Sequence, residues 1–296
     1  MNPTADILAT AVVPWTKSYE FDEDKFCHQV HEIARGLTPN IYVFGTAGEG
    51  YAVTESQFDH ISTAFWSSSQ ECDAFPMLGI ISLSLPTIIE RIERGRALGF
   101  RDFQLSLPSW GELNDRELDT FFAETCGRFP DCHFHHYNLV RTKRFLTSVE
   151  YTRLAEAHPN LVAVKAGTRD PEVIADLLKV SPRLRFYFTE YGYAHARRTH
   201  DVGFLVSLAS ANPERAKAFV AGDDARRTAD LEDLQAMLES LKELSTDKFH
   251  IDGGFDKMIY KVNDPLFPLR LLPPYAGPTD EDFATFRADI ADGWMR

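Results

Sequence analysis

A closed (β/α)₈ barrel with a helical C-terminal extension is the fold this sequence predicts, and three observations predict it. Short apolar runs alternate with longer stretches of helical period. Eight such runs fall within residues 7–208, and after the eighth the chain turns helical. A strand and a helix in regular alternation is the pattern of parallel βαβ units. Eight units fit a closed barrel of the TIM type better than an open doubly wound sheet, the second arrangement the pattern allows.

In order, the predicted strands are ILATAVV (7–13), IYVFG (41–45), FPMLGI (75–80), DFQLSL (102–107), HFHHY (133–137), LVAVK (161–165), LRFYF (184–188) and GFLVSL (203–208). Amphipathic stretches such as FDEDKFCHQVHEIARGL and PTIIERIERGRALGF connect them, with the apolar spacing that gathers one face on a helix. Thr54 and Gln57 stand at capping-box spacing, so a helix starts beside Thr54. Beyond the eighth strand, PERAKAFVAG reads as the last barrel helix; DDARRTADLEDLQAMLESLKEL and TDEDFATFRADIADGW read as further helices. The chain therefore divides into a barrel over 1–222 and a helical extension over 223–296 packed on it.

Composition bounds the function. Hydrophobic residues at 44% and charged residues at 25% are those of a soluble globular chain of 296 residues. A net charge of −13 speaks against nucleic acid or an anionic membrane as partner. Cys27, Cys72, Cys126 and Cys132 show no CxxC spacing, and the N-terminus lacks a basic start followed by a long apolar core. Free thiols and a cytoplasmic location are the expectation. No apolar run approaches the roughly 20 residues that cross a bilayer.

Three stretches carry chemistry. FGTAGEG (44–50) follows strand two and precedes the helix at Thr54, so it is a βα loop at the C-terminal face, where barrel enzymes keep their active sites. Its glycines allow backbone N–H groups to approach an anion closely and Thr46 adds a hydroxyl; a tight turn alone is the other reading. Lys165 ends the apolar strand LVAVK, where desolvation favours the neutral amine that carbonyl chemistry needs; a solvated strand-end lysine is the other reading. In HFHHYNL (133–139), a Tyr137 that points into the mouth takes His135 and His133 inward with it and turns His136 toward the helices. A tyrosine beside a Schiff-base lysine shuttles protons; a structural tyrosine is the alternative.

Together these stretches resemble the dihydrodipicolinate synthase and N-acetylneuraminate lyase superfamily. GTAGEGYAVTESQF is similar to its GTTGE signature, HYN to its strand-five tyrosine motif and VAVKAGTRD to its Schiff-base lysine segment, in the same order. TAVVPW and PLRLLPP extend the resemblance over most of the chain. It implies a class I mechanism: Lys165 attacks the ketone of pyruvate or a longer 2-oxo acid, Tyr137 moves protons, and Thr46 holds the tyrosine. Backbone amides around Gly45, Thr46 and Ala47 take the carboxylate. It implies no metal and no organic cofactor, and a homo-oligomer, a tetramer built as a dimer of dimers.

Departures from the pattern bear on substrate. Ala47 replaces a second hydroxyl residue, and Trp110 stands where biosynthetic members carry a tyrosine that reaches a neighbouring subunit. Arg141 sits one residue earlier than the family's arginine; Lys143 and Arg144 compete with it as a carboxylate anchor, and a solvated basic loop is equally open. Glu190 in FTEYG and Leu205 on strand eight are further candidate substrate contacts. The resemblance implies a lyase, ranked as catabolic aldolase or hydratase-aldolase, then sugar-acid dehydratase, then dihydrodipicolinate synthase. Two other classes remain: a catalytically inactive 2-oxo acid sensor, and a metal enzyme using His133, His135 and Cys132.

Overall fold

The computed structural model describes residues 7–181, 183–246, 248–249, 251–290 and 293–295. Eight parallel strands close on one another in chain order: β1 (Ile7–Thr10), β2 (Asn40–Val43), β3 (Phe75–Gly79), β4 (Asp102–Leu105), β5 (His133–Asn138), β6 (Leu161–Ala166), β7 (Arg185–Phe188) and β8 (Gly203–Leu205), the last pairing back to β1. Each predicted run overlaps one of them, with β2, β5 and β6 extending one residue beyond their runs. The apolar ends that overshoot, Ala11–Val13 and Leu107 among them, leave the ladder yet stay buried, because mouth loops also pack against helices.

Helices α1 (Glu23–Gly36), α2 (Glu55–Glu71), α3 (Leu85–Leu98), α4 (Asp115–Phe122), α5 (Ser148–Ala157), α6 (Pro171–Leu178), α7 (Glu190–Ala196) and α8 (Pro213–Ala221) alternate with the strands. Thr54 caps α2 as its spacing predicts, Thr54 N donating to Gln57 Oε1 at 2.9 Å and Gln57 N to Thr54 Oγ1 at 3.2 Å. Among the described residues no helix is long and apolar enough to cross a membrane.

Alternation along the strands sorts side chains into two cores. Leu8, Tyr42, Met77, Ala163, Tyr187 and Leu205 fill the barrel interior, while the opposite faces pack outward against the helices. One irregularity decides which residues face in. Between β5 and β6, Phe134 pairs with Leu161 but His135 pairs with Ala163, so β6 carries an extra residue, Val162. A one-residue shift reverses every later side chain, and Lys165 thereby lies opposite the inward Tyr137.

The extension contributes α9 (Asp224–Ser245), α10 (Ile251–Asn263) and α11 (Asp280–Asp289). Gly222 ends α8 and Asp223 caps α9. Contacts bind the two together. Trp294 Nε1 donates to Ala209 O at 3.1 Å, and Lys257 of α10 reaches Glu49 of the β2–α2 loop at 2.7 Å, both side chains wholly buried.

Candidate active site

The loop FGTAGEG turns at residues other than its glycines. Positive φ falls on Phe44 (62°) and Glu49 (52°). The glycines serve close approach instead: a Cβ on Gly48 would stand 2.6 Å from Phe44 N, and one on Gly50 2.6 Å from Phe44 O. The loop folds back on Phe44, and only hydrogens fit between. Glu49 secures it, accepting from Trp15 Nε1 at 2.7 Å and Leu272 N at 2.6 Å besides pairing with Lys257, which also donates to Arg270 O. These bonds offset the cost of a left-handed glutamate and hold the barrel mouth against the C-terminal segment.

Lys165 lies inside that mouth, 3% exposed. Its Nζ donates to Tyr42 Oη at 2.8 Å and to Gln104 Oε1 at 3.0 Å, and stands 3.8 Å from the Tyr137 ring centre and 4.1 Å from that of Tyr42. Burial pushes the lysine's pKa well below the ordinary range, with the Asp256 carboxyl opposing. Asp256 itself, on α10, is raised to about 7 by burial and then by Asp252, while Lys165 draws it down. A lysine whose neutral form burial favours, coupled electrostatically to a carboxyl raised to about 7, is a candidate for acid–base or nucleophilic chemistry.

Tyr137 is paired with Lys165 across the β5–β6 ladder. Burial raises its phenol to about 12, and a hydrogen bond with the Thr46 side chain opposes that rise. The phenol therefore keeps its proton at neutral pH and has one to give. Above these groups opens a cleft of about 360 Å³ whose walls include Thr46, Tyr51, Ser106, Leu139, Arg141 and Asp252. Arg141 pairs with Asp252 at 2.5 Å, so its charge is already answered from α10.

The remaining predicted residues fall in different places. Gly45 sits at the lysine: a Cβ there would stand 3.5 Å from Lys165 Nζ and 2.6 Å from Tyr42 Cε2. Ala47 is buried in the same loop. Leu205 belongs to the apolar interior. Glu190 is turned to the backbone, accepting from Ser207 N at 2.9 Å and Ala209 N at 3.1 Å, which ties the β7 and β8 loops together. Trp110 is 84% exposed, and within the single chain this loop gives the cleft Ser109. Lys143 donates to Trp110 O, and Arg144 binds Glu150, Asp115 and Leu113 O, so Arg141 is the one of the three that lines the cleft.

His135 turns inward and His136 outward to Tyr151 Oη at 2.7 Å, as the strand period predicts. His133, expected inward, is exposed where β5 begins, 3.6 Å from Asp102. Among the described residues no group of three His, Cys, Asp or Glu is placed to hold a metal ion. Three neighbours of the lysine, Tyr42, Gln104 and Asp256, are not among the residues the sequence singles out. Tyr42 and Gln104 read as ordinary strand residues, although each falls at an inward position of its run; nothing local marks Asp256.

No family model matches the chain, and no curated protein matches it by sequence. Solved structures do match in fold. A Ruminococcus gnavus sialic acid aldolase with its catalytic lysine mutated superposes with a TM-score of 0.83 at 12% identity, covering 98% of this chain and 96% of that one. The E. coli K12 prophage protein YagE of the dihydrodipicolinic acid synthase family, in complex with pyruvate, gives 0.83 at 14% identity over 96% of both. Dihydrodipicolinate synthase from Cyanidioschyzon merolae with lysine bound gives 0.81 at 19% identity over 98% of both. The fold is the one these aldolase and synthase structures share.

Proposed function

We propose that this chain is a lyase that forms a Schiff base between Lys165 and pyruvate or another 2-oxo acid. The carrying observation is the buried Lys165 amine at the C-terminal mouth, its pKa pushed well down, against the ring of a protonated Tyr137. Solved neighbours that include a sialic acid aldolase and a pyruvate complex support the reading. The amine attacks the ketone carbon, and loss of water leaves a protonated imine that acts as electron sink for the neighbouring carbon. Tyr137 carries protons between the carbinolamine oxygen and the reacting carbon, steadied by Thr46. Amides of the Gly45–Ala47 loop take the carboxylate. The lysine supplies the covalent intermediate itself, so the reaction draws on no metal or organic cofactor.

Aldol cleavage or hydration in a catabolic direction is the favoured reaction, followed by sugar-acid dehydration and then dihydrodipicolinate synthesis. Trp110 has no acidic hydroxyl to complete a biosynthetic relay, and Arg141, paired with Asp252, leaves the outer cleft without a free cation from that residue. A cytoplasmic homotetramer, a dimer of dimers, completes the proposal. Leu83, Trp110 and Val140, exposed on three consecutive mouth loops, support the oligomer.

Intact mass after incubation with pyruvate and borohydride tests the chemistry. An adduct mapped to Lys165 is the expected result; no adduct with pyruvate or with longer 2-oxo acids defeats the reading. Trapping with cyanoborohydride across pH adds a sign. Only the neutral amine attacks, so the rate rises with pH and levels off well below the usual lysine value of about 10.4. Tyr137→Phe keeps the ring and removes the proton; steady-state turnover is expected to fall by roughly 10² to 10⁴ while the adduct still forms slowly.

A further inference from the structure

Gln104 presents an unused donor to the nucleophile's own space. Its Oε1 accepts from Lys165 Nζ at 3.0 Å, while its Nε2 is buried and finds no hydrogen-bond partner among the described residues. A buried amide N–H without an acceptor is rare and unfavourable. Nε2 and Lys165 Nζ both lie 3.5 Å from the point where a Cβ on Gly45 would stand, so the idle donor and the amine face one small volume.

We infer that Gln104 serves both nucleophile and substrate: Oε1 holds one N–H of Lys165, and Nε2 donates to the oxygen on C2 of the bound 2-oxo acid. This rests on the Schiff-base reading above. A glutamine amide offers an acceptor and a donor side by side. A carbinolamine offers an N–H and an oxygen on one carbon, so the two join by a pair of parallel hydrogen bonds, with the specificity such forks have. As the Nζ–C2 bond forms, the carbon–oxygen π bond breaks. The oxygen takes the Tyr137 proton, and the nitrogen returns one to the tyrosine. The second proton stays on the nitrogen, which donates it to Oε1. With Tyr42 accepting from the resting amine as well, both N–H bonds are anchored and the lone pair is directed away from the two acceptors, toward the substrate.

Cyanoborohydride trapping of wild type, Gln104→Glu and Gln104→Leu, over pyruvate concentration and pH, tests this. Gln104→Glu keeps the acceptor and loses the donor: the maximal rate should fall about ten- to a hundredfold. Its carboxylate favours the ammonium, so the rise with pH moves upward. Gln104→Leu loses both groups: the rate falls at least as far, and the rise moves downward because the ammonium has lost an acceptor. Lys165 also faces Tyr42 on β2, Tyr137 on β5, Tyr187 on β7 and Asp256 on α10, and these are common to all three proteins. Opposite shifts therefore report position 104. Profiles that coincide with wild type, whatever the change in melting temperature, overturn the inference. Gln104→Met replaces the leucine variant if leucine misfolds. A wild type that no 2-oxo acid traps overturns the Schiff-base reading and this inference with it, a failure visible without any variant.

Discussion

Lys165→Ala is expected to abolish borohydride trapping and to cut turnover by roughly 10⁴-fold or more, the scale seen when a covalent nucleophile is removed. Lys257, the other buried lysine of this region, offers no substitute, since its ammonium is engaged by Glu49 and Arg270 O. The same variant should melt no lower than wild type. Burying an amine costs desolvation, and alanine removes that cost along with the hydrogen bonds to Tyr42 and Gln104. Turnover lost together with stability would instead point to a structural lysine, and turnover retained would dismiss Lys165 as the nucleophile.

Lys257→Met is expected to destabilise the protein by about 3–5 kcal/mol, read as a lower denaturation midpoint with an unchanged slope. Glu49 and Lys257 are both 0% exposed and 2.7 Å apart. Removing the cation leaves a carboxylate in the core that, among the described residues, keeps Trp15 Nε1 and Leu272 N as donors. Glu49→Gln added to Lys257→Met should recover part of the loss, because it removes the stranded charge. Glu49 belongs to the FGTAGEG loop, so the single variant should also weaken pyruvate trapping. A loss under about 1 kcal/mol would show that water reaches the pair.

Much of the fold is legible in the amino-acid sequence. All eight strands announce themselves as apolar runs, because a barrel strand is covered on both faces. The α2 capping box is written in Thr54 and Gln57, which find each other locally. Lys165 and Tyr137 stand at the ends of such runs, so their place at the barrel mouth follows from the repeat alone. That Trp110 is exposed was not legible, because an aromatic side chain in a mouth loop says nothing about which way the loop turns it. The glycines of residues 45–50 correctly signal a special loop, but not that Phe44 and Glu49 take the left-handed turns while the glycines make room.

The order of strands and helices and the closed barrel were determined by the sequence alone, through local periodicity and short-range hydrogen bonds, while Lys165 and Tyr137 stood out there through the motifs that resemble the superfamily's. Tertiary structure alone decided what surrounds the lysine. Tyr42, Gln104 and Asp256 arrive from β2, β4 and α10, separated in the chain by long intervals that no local pattern spans. The facing of Lys165 itself depends on Val162, the extra residue between the Leu161 and Ala163 pairings. Strand parity is a property of the paired ladder, so one unpaired residue sets whether this amine meets the site or the helices, and the unpaired strand carries no mark of it.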